Sequence, residues 1–364
     1  METKLNYKRT FLIGLAFLSI CSFWQMYDNI IPLILQNTYH LGETMTGAVM
    51  ALDNVLAIFL LPVFGTLSDK VHTKLGRRMP FIVSGTILAV IFMMLLPMID
   101  NAEKARWGTV ESFSNQVIFL AVLFFTLVSM GLYRSPAVAL MPDVTPNHLR
   151  SRANAVINLM GAVGGVYALI MIKVLVGKGE TPDYLPLFAS IAAVMAIAVG
   201  ILVITIRENK LREEVEKAEG DTGEVKAFDG KKQTGKTEGT KGMPKEVKRS
   251  MYFMLASIFL WFTAYNAVTT AFSRYTKVVW KMEGGSFANC LMVATVAAIF
   301  SYIPIGSISA KIGRKKTIMG GVLLMAACYG AAIFAREYHP LVNVAFALIG
   351  VAWAAINVNS YPMI

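Results

Sequence analysis

The feature that most constrains this chain is a succession of apolar stretches, each about 20 residues long or more, separated by short segments that hold most of the charge. A stretch of that length crosses the roughly 30 Å hydrocarbon core of a bilayer as a helix, because a helix satisfies its own backbone groups where no water is present. Apolar residues make up 55% of the 364, above the ~45–50% of soluble domains. Ten spans are expected, at roughly 11–36, 44–67, 80–99, 116–141, 152–176, 185–206, 251–274, 286–309, 317–335 and 341–363. The predicted fold class is therefore an all-α membrane protein.

The basic residues orient those spans. Of 34 Lys and Arg, 25 lie at the N-terminus or in loops after even-numbered spans and 8 lie in the opposite loops, with Arg134 inside a span. Cytoplasmic loops carry the excess, so a cytoplasmic N-terminus and a multi-pass place in the plasma membrane are expected. The net charge of +11 does not point to nucleic acid, since the cations sit on membrane loops rather than along one face. Lys4, Lys8 and Arg9 precede an apolar run too long and too polar inside (Gln25, Asp28, Asn29) for a cleaved leader. Cys21, Cys290 and Cys328 match no ligand or disulfide spacing, and His40, His72, His148 and His339 are far apart in loops. No metal site and no resident cofactor is expected. No set of residues with hydrolytic spacing appears on any span, which argues against an enzyme.

Between residues 207 and 250 the composition changes. Glu208 to Glu219 should continue as a helix with Leu211, Val215 and Ala218 on one face, and 220–241 is almost free of apolar residues, as a flexible linker would be. The expected organisation is a six-span half (1–206), a cytoplasmic linker (207–250) and a set of four spans (251–364).

The loop from Gly65 to Pro80 is the most specific motif. Gly65 permits close helix approach. Asp69 is placed to cap a short loop helix and to pair with Arg77 or Arg78. A basic loop of this kind can also merely fix topology. The pattern recurs, however, as Gly306 to Lys316, with Gly313 and Arg314 in the matching places and Ala310 where an Asp is expected. This repeat resembles the signature loop of the major facilitator superfamily. The first copy is two residues longer than the superfamily pattern and runs into Arg-Arg-Met-Pro-Phe, which resembles the sucrose transporters and their bacterial relatives. The run Ala139 to Thr145 after Pro136, at the end of the fourth span, is similar to that branch as well. There the resemblance places an Arg nearer the Asp, at Val138, one turn from Arg134.

The resemblance implies a major facilitator fold of two pseudo-repeated helical halves with a substrate site between them. The spacings agree: Trp24 to Trp261 and Asn29 to Asn266 are both 237 residues apart, close to the 241 from Gly65 to Gly306. Since the family has twelve spans and only four follow the linker, the second half is expected to be truncated.

Ionisable groups inside spans are functional candidates by default. Asp28 and Asp53 lie at matched depth on consecutive spans, roughly 12 and 14 Å from the outer end. Each is either a hydrogen-bond partner of a neighbouring helix or part of a proton and hydroxyl site; a desolvated carboxyl beside a second one is chemistry suited to reversible protonation. Asp53 is the expected coupling site, with Asp28 at the sugar and also a proton candidate. Trp24, Tyr27, Asn29, Tyr265 and Asn266 are the other substrate candidates, by stacking and amide hydrogen bonds, though aromatics in spans also serve packing. Arg134 is a gate partner or a structural cation. Asp143, with Arg150 and Arg152, is expected to clamp the cytoplasmic loops, and Gly161 to Gly165 to form a small-residue packing stripe.

What the resemblance implies is import of a glycoside, a disaccharide, coupled to a cation. Melibiose-type relatives use two Asp four residues apart in the second span for sodium; here the partner position of Asp53 is Ala57, which favours a proton. The expected partners are a small sugar and the lipid bilayer, with no obligatory protein partner. A drug or metabolite antiporter of the same superfamily is the alternative. A non-transporting sensor is a third reading, for which no loop except the low-complexity 220–241 is large enough to fold a signalling domain.

Overall fold

A computed structural model describes residues 5–105, 113–146, 149–179, 181–220 and 245–360. They form eleven helices: α1 (Tyr7–Asn37), α2 (Glu43–Lys70), α3 (Met79–Ala105), α4 (Phe113–Asp143), α5 (Arg150–Leu175), α6 (Leu185–Thr205), α7 (Glu208–Gly220), α8 (Lys245–Val278), α9 (Ala288–Ile312), α10 (Arg314–Ala332) and α11 (Val342–Ser360). The expected ten spans are not met one for one. The eleventh helix is α7, a polar one, and seven helices (α1 to α6 and α11) are long and apolar enough to cross a membrane. α10 begins with Arg314, Lys315 and Lys316, which shortens its apolar run, while α8 is apolar from Met251 to Ser273.

Helices α1 to α6 pack as one group. α1 lies against α5, where a Cβ on Gly164 would meet the Leu18 carbonyl oxygen at 2.1 Å; Ser22 Oγ donates to the Gly164 carbonyl at 2.9 Å. The small-residue stripe at 161–165 thus sets that close approach. α2 meets α4 through Ser135 Oγ, which donates to Leu61 O at 2.8 Å beside Gly65. Tyr133 is fully buried, donates to Ala16 O at 2.9 Å, and also meets Ser19 Oγ. In the later group, α11 packs on α9 and α10.

The loop after α2 holds the charged motif. α2 runs on to Lys70, and residues 71–78 form a turn closed by Thr73 and Gly76. No loop helix follows Asp69, so its predicted cap is replaced by pairing: Arg78 Nη2 to Asp69 Oδ1 at 2.5 Å and Arg77 Nη1 to Asp69 Oδ1 at 3.7 Å. Asp143 is not bound by Arg150. It takes Arg77 Nη2 at 2.8 Å and Arg78 Nε at 2.9 Å, while Arg150 donates to the Pro142 and Thr145 carbonyls. The side chain of Arg152 lies outside the described residues. The second copy is built differently: Gly306 is inside α9, Gly313 alone (φ +94°) turns the chain, and Arg314 already starts α10.

α7 carries the expected amphipathic face and returns to the signature loop. The fully buried carboxylate of Glu208 accepts the backbone N–H of Arg77, Arg78 and Met79 at 3.0–3.1 Å, an anion at the N-terminus of α3. Asn209 Nδ2 donates to Thr73 O at 2.9 Å, and Arg9 reaches Glu214 at 3.3 Å. The expected linker up to residue 250 is shorter at its end, since α8 starts at Lys245; residues 221–244 lie outside the described ones.

The C-terminal ends of α1, α5 and α8 share the face opposite the N-terminus. There the two groups touch: Arg274 Nη1 donates to Asn37 Oδ1 at 2.7 Å, Lys178 pairs with Glu283 at 3.5 Å, and Gly284 and Gly285 lie on the last carbonyls of α5.

Candidate functional site

At mid-depth, α1 turns Trp24 and Asp28 toward α2 and α4. Arg134 of α4 stands with its Cζ 5.6 Å from the Trp24 ring centroid, a cation–π distance. Its charge acts on both Asp28 and Asp53, and Asp53 acts on Asp28. Asp53 accepts a hydrogen bond from Asn54 Nδ2 at 2.8 Å. No salt bridge within 4 Å joins Arg134 to either carboxylate among the described residues, so the three groups share a field without being locked together. The structure thus brings together the three intramembrane charges that the spacing singled out, and places Arg134 with the carboxylates rather than with the loop Asp143.

The facing wall comes from α8 and α11. Tyr265 lies 4.3 Å from the Trp353 ring and 6.1 Å, stacked, from Trp261; Trp261 is 5.2 Å from Trp353. Asp28 is within electrostatic reach of the half-buried Tyr265, which links the two groups of helices. Trp353 carries no mark in the sequence: it is one aromatic among small residues in an apolar run. Asn266 lines a cavity of about 590 Å³ between α1, α2 and α8.

Two of the predicted contacts, Tyr27 and Asn29, are buried in the helix packing. Tyr27 is 1% exposed and packed on Phe23 and Trp24. Asn29 is 2% exposed, and its Nδ2 donates to Gln25 O of its own helix. Both sit inside the helix packing, because a helix turns about 100° per residue and Trp24 and Asp28 take the open side. Their Tyr27 Oη and Asn29 Oδ1 are buried without hydrogen-bond partners among the described residues.

A further carboxylate, fully buried, was outside the expected spans. α3 runs to Ala105 rather than 99, so Asp100 is fully buried, paired with Lys104 Nζ at 2.5 Å, which also donates to Pro182 O at 2.7 Å. The i, i+4 spacing of Asp100 and Lys104 was the available signal. Among the described residues no group of His, Cys, Asp and Glu could hold a metal, and the three cysteines are free.

A bundle of apolar helices with charges gathered inside it, facing a second group of helices, fits the class of membrane transporters rather than enzymes. Residues 5–364 match the Major Facilitator Superfamily, and the chain belongs to that family. A sucrose transport protein of Oryza sativa subsp. japonica is 26% identical over 137 residues, 35% of this chain and 27% of its own length. The general alpha-glucoside permease of Schizosaccharomyces pombe is 22% identical over 243 residues, 63% of this chain and 42% of its own. The chain therefore spans less than half the length of these relatives. The xylose transporter XylE of E. coli, in a partially occluded inward open conformation, superposes with a TM-score of 0.65 at 14% identity, covering 99% of this chain and 86% of that one; at that identity the likeness concerns the fold.

Proposed function

We propose that this chain is a sugar:proton symporter for a glycoside, working by alternating access. The observation that carries the reading is the pairing of Asp28 and Asp53 under the field of one cation, Arg134, opposite the aromatic wall of Tyr265, Trp261 and Trp353. Aromatic faces stack on sugar C–H faces, and carboxylates accept hydroxyl hydrogens. The relatives named for sucrose and alpha-glucoside transport support the substrate class. Asp53 is the proposed proton site: its neighbour is the neutral Asn54, and Ala57 stands where a sodium site would want a second carboxylate. Asp28 and Trp24 are the proposed sugar contacts on α1, with Tyr265 and Asn266 on α8.

In this reading the ten helices other than α7 are the spans. The halves are 1–206 and 251–364, and the N-terminus faces the cytoplasm at the plasma membrane, as the 25 to 8 distribution of Lys and Arg supports. The signature pairs of Asp69, Arg77, Arg78 and Asp143, together with Gly65, Gly306, Gly313 and Arg314, act as gating elements. Uptake of radiolabelled sucrose and maltose into proteoliposomes tests the function. An inward pH gradient, acid outside, is expected to drive accumulation above equilibrium, and a sodium gradient is not. Equal uptake with and without the pH gradient would overturn proton coupling.

A further inference from the structure

We propose that the cavity between α1, α2 and α8 is a second sugar subsite, which takes the outer ring of a two-ring glycoside and holds it through Arg274. This rests on the reading of the chain as a sugar symporter. The cavity, about 590 Å³, falls within the range of about 300–1,000 Å³ typical of small-molecule sites. Its polar groups come from three helices: Gln36 of α1, Glu43 and Asn54 of α2, and Asn266, Thr270 and Arg274 of α8. On α8 these sit four residues apart, so they form one stripe. Glu43 and Asn54 are eleven residues apart, about three turns, and share a face of α2. The set offers donors and acceptors together, as the hydroxyls on a sugar edge require. Glu43 balances Arg274 in formal charge, so the cavity suits a neutral glycoside over an anionic one.

The subsite is continuous with the central site. Asn54 lines the cavity and donates to Asp53, and Asn266 follows Tyr265 directly. From Tyr265 to Arg274 is nine residues, about 13 Å along α8. A single pyranose cannot reach both ends, whereas a two-ring glycoside does. Arg274 has capacity for the contact: it lines the cavity, Nη1 donates to Asn37 Oδ1 at 2.7 Å, and the guanidinium carries further N–H donors.

The test is binding of sucrose, maltose and methyl α-glucoside to the purified full chain in detergent, comparing wild type with Arg274→Ala, Arg274→Lys and Asn37→Ala. Arg274→Ala is expected to weaken the disaccharide that wild type binds by about 10- to 100-fold, and to leave the single-ring methyl α-glucoside within about threefold, which also shows that the variant is folded. Arg274→Lys should fall between, since the ammonium keeps the charge without the fork. Asn37→Ala, which removes the Arg274–Asn37 bond across the seam, should keep disaccharide affinity. An equal effect of Arg274→Ala on one-ring and two-ring glycosides, or no effect on either, overturns the subsite while the sugar reading stands. So does Asn37→Ala reproducing the Arg274→Ala loss. No binding of any of the three sugars by wild type overturns the sugar reading itself, and the subsite with it.

Discussion

At Arg134 a cation sits 5.6 Å from the Trp24 ring inside an apolar bundle, with two carboxylates in its field and no direct salt bridge to either. A charge at that depth is tolerated only where its partners offset the loss of hydration. The arrangement lets the charge balance of the site change by one proton without a fixed pair having to break. Two expectations follow for the proposed symport. Asp53→Asn mimics the protonated form, so gradient-driven accumulation should be lost while counterflow exchange of labelled for unlabelled sugar persists. Uphill uptake surviving in this variant would remove Asp53 as the coupling site. Asp28→Asn should instead weaken sugar affinity in both assays by about 10- to 100-fold, the worth of a charge-assisted hydrogen bond. Unchanged affinity would return Asp28 to a packing role. Tyr27→Phe should leave affinity within about threefold, since the side chain is 1% exposed and packed on Phe23 and Trp24; a larger loss would place its hydroxyl at the sugar.

Among the elements, α7 meets the start of α3 through a polar junction. Three backbone N–H groups at the start of α3 converge on one buried carboxylate, Glu208. Those groups would otherwise be among the unsatisfied donors of a helix N-terminus. The turn that delivers them needs Gly76 at φ +125°, and a Cβ there would meet Glu208 Oε2 at 2.1 Å. Glu208→Ala is expected to lower stability by about 1–3 kcal/mol, read as a lower melting temperature in detergent. Gly76→Ala should do the same by strain and contact. The exposed Arg9–Glu214 pair should matter far less, so Glu214→Ala is expected within about 1 kcal/mol of wild type. A melting temperature equal to wild type for Glu208→Ala would show that water replaces the cap.

Across the whole molecule, the contacts described between the two helix groups at the α1, α5 and α8 C-termini form a seam on one face. Gly285 is its closest point, since a Cβ there would meet Ile172 O at 2.1 Å. Gly285→Val should therefore hold the seam apart. In a background with Cys21, Cys290 and Cys328 replaced by Ser, a cysteine at Thr270 in the cavity is expected to react with an impermeant thiol reagent from outside faster when Gly285→Val is present. An unchanged rate would show that the seam does not gate the cavity. The same background tests orientation: cysteines at positions 40 and 339 should label from outside intact cells, and one at position 230 should not.

The loop motif was legible because its information is local. Asp69, Arg77 and Arg78 lie within ten residues, and a short loop between two helices leaves them little choice of partner. The apolar runs were legible for a similar reason: the length needed to cross a bilayer is set by the solvent, residue by residue, without reference to neighbours. The helical class, the linker helix from Glu208 and the candidate charges Asp28, Asp53 and Arg134 could therefore be read directly. Only the tertiary structure decided which way those helices face. Lipid and protein interior are both apolar, so the sequence of a span does not distinguish its outer side from its inner one. For that reason Tyr27 and Asn29 turned into the packing, Trp353 joined Tyr265 without any mark in its own stretch, and Asp143 went to Arg77 and Arg78, more than sixty residues away, rather than to nearby Arg150.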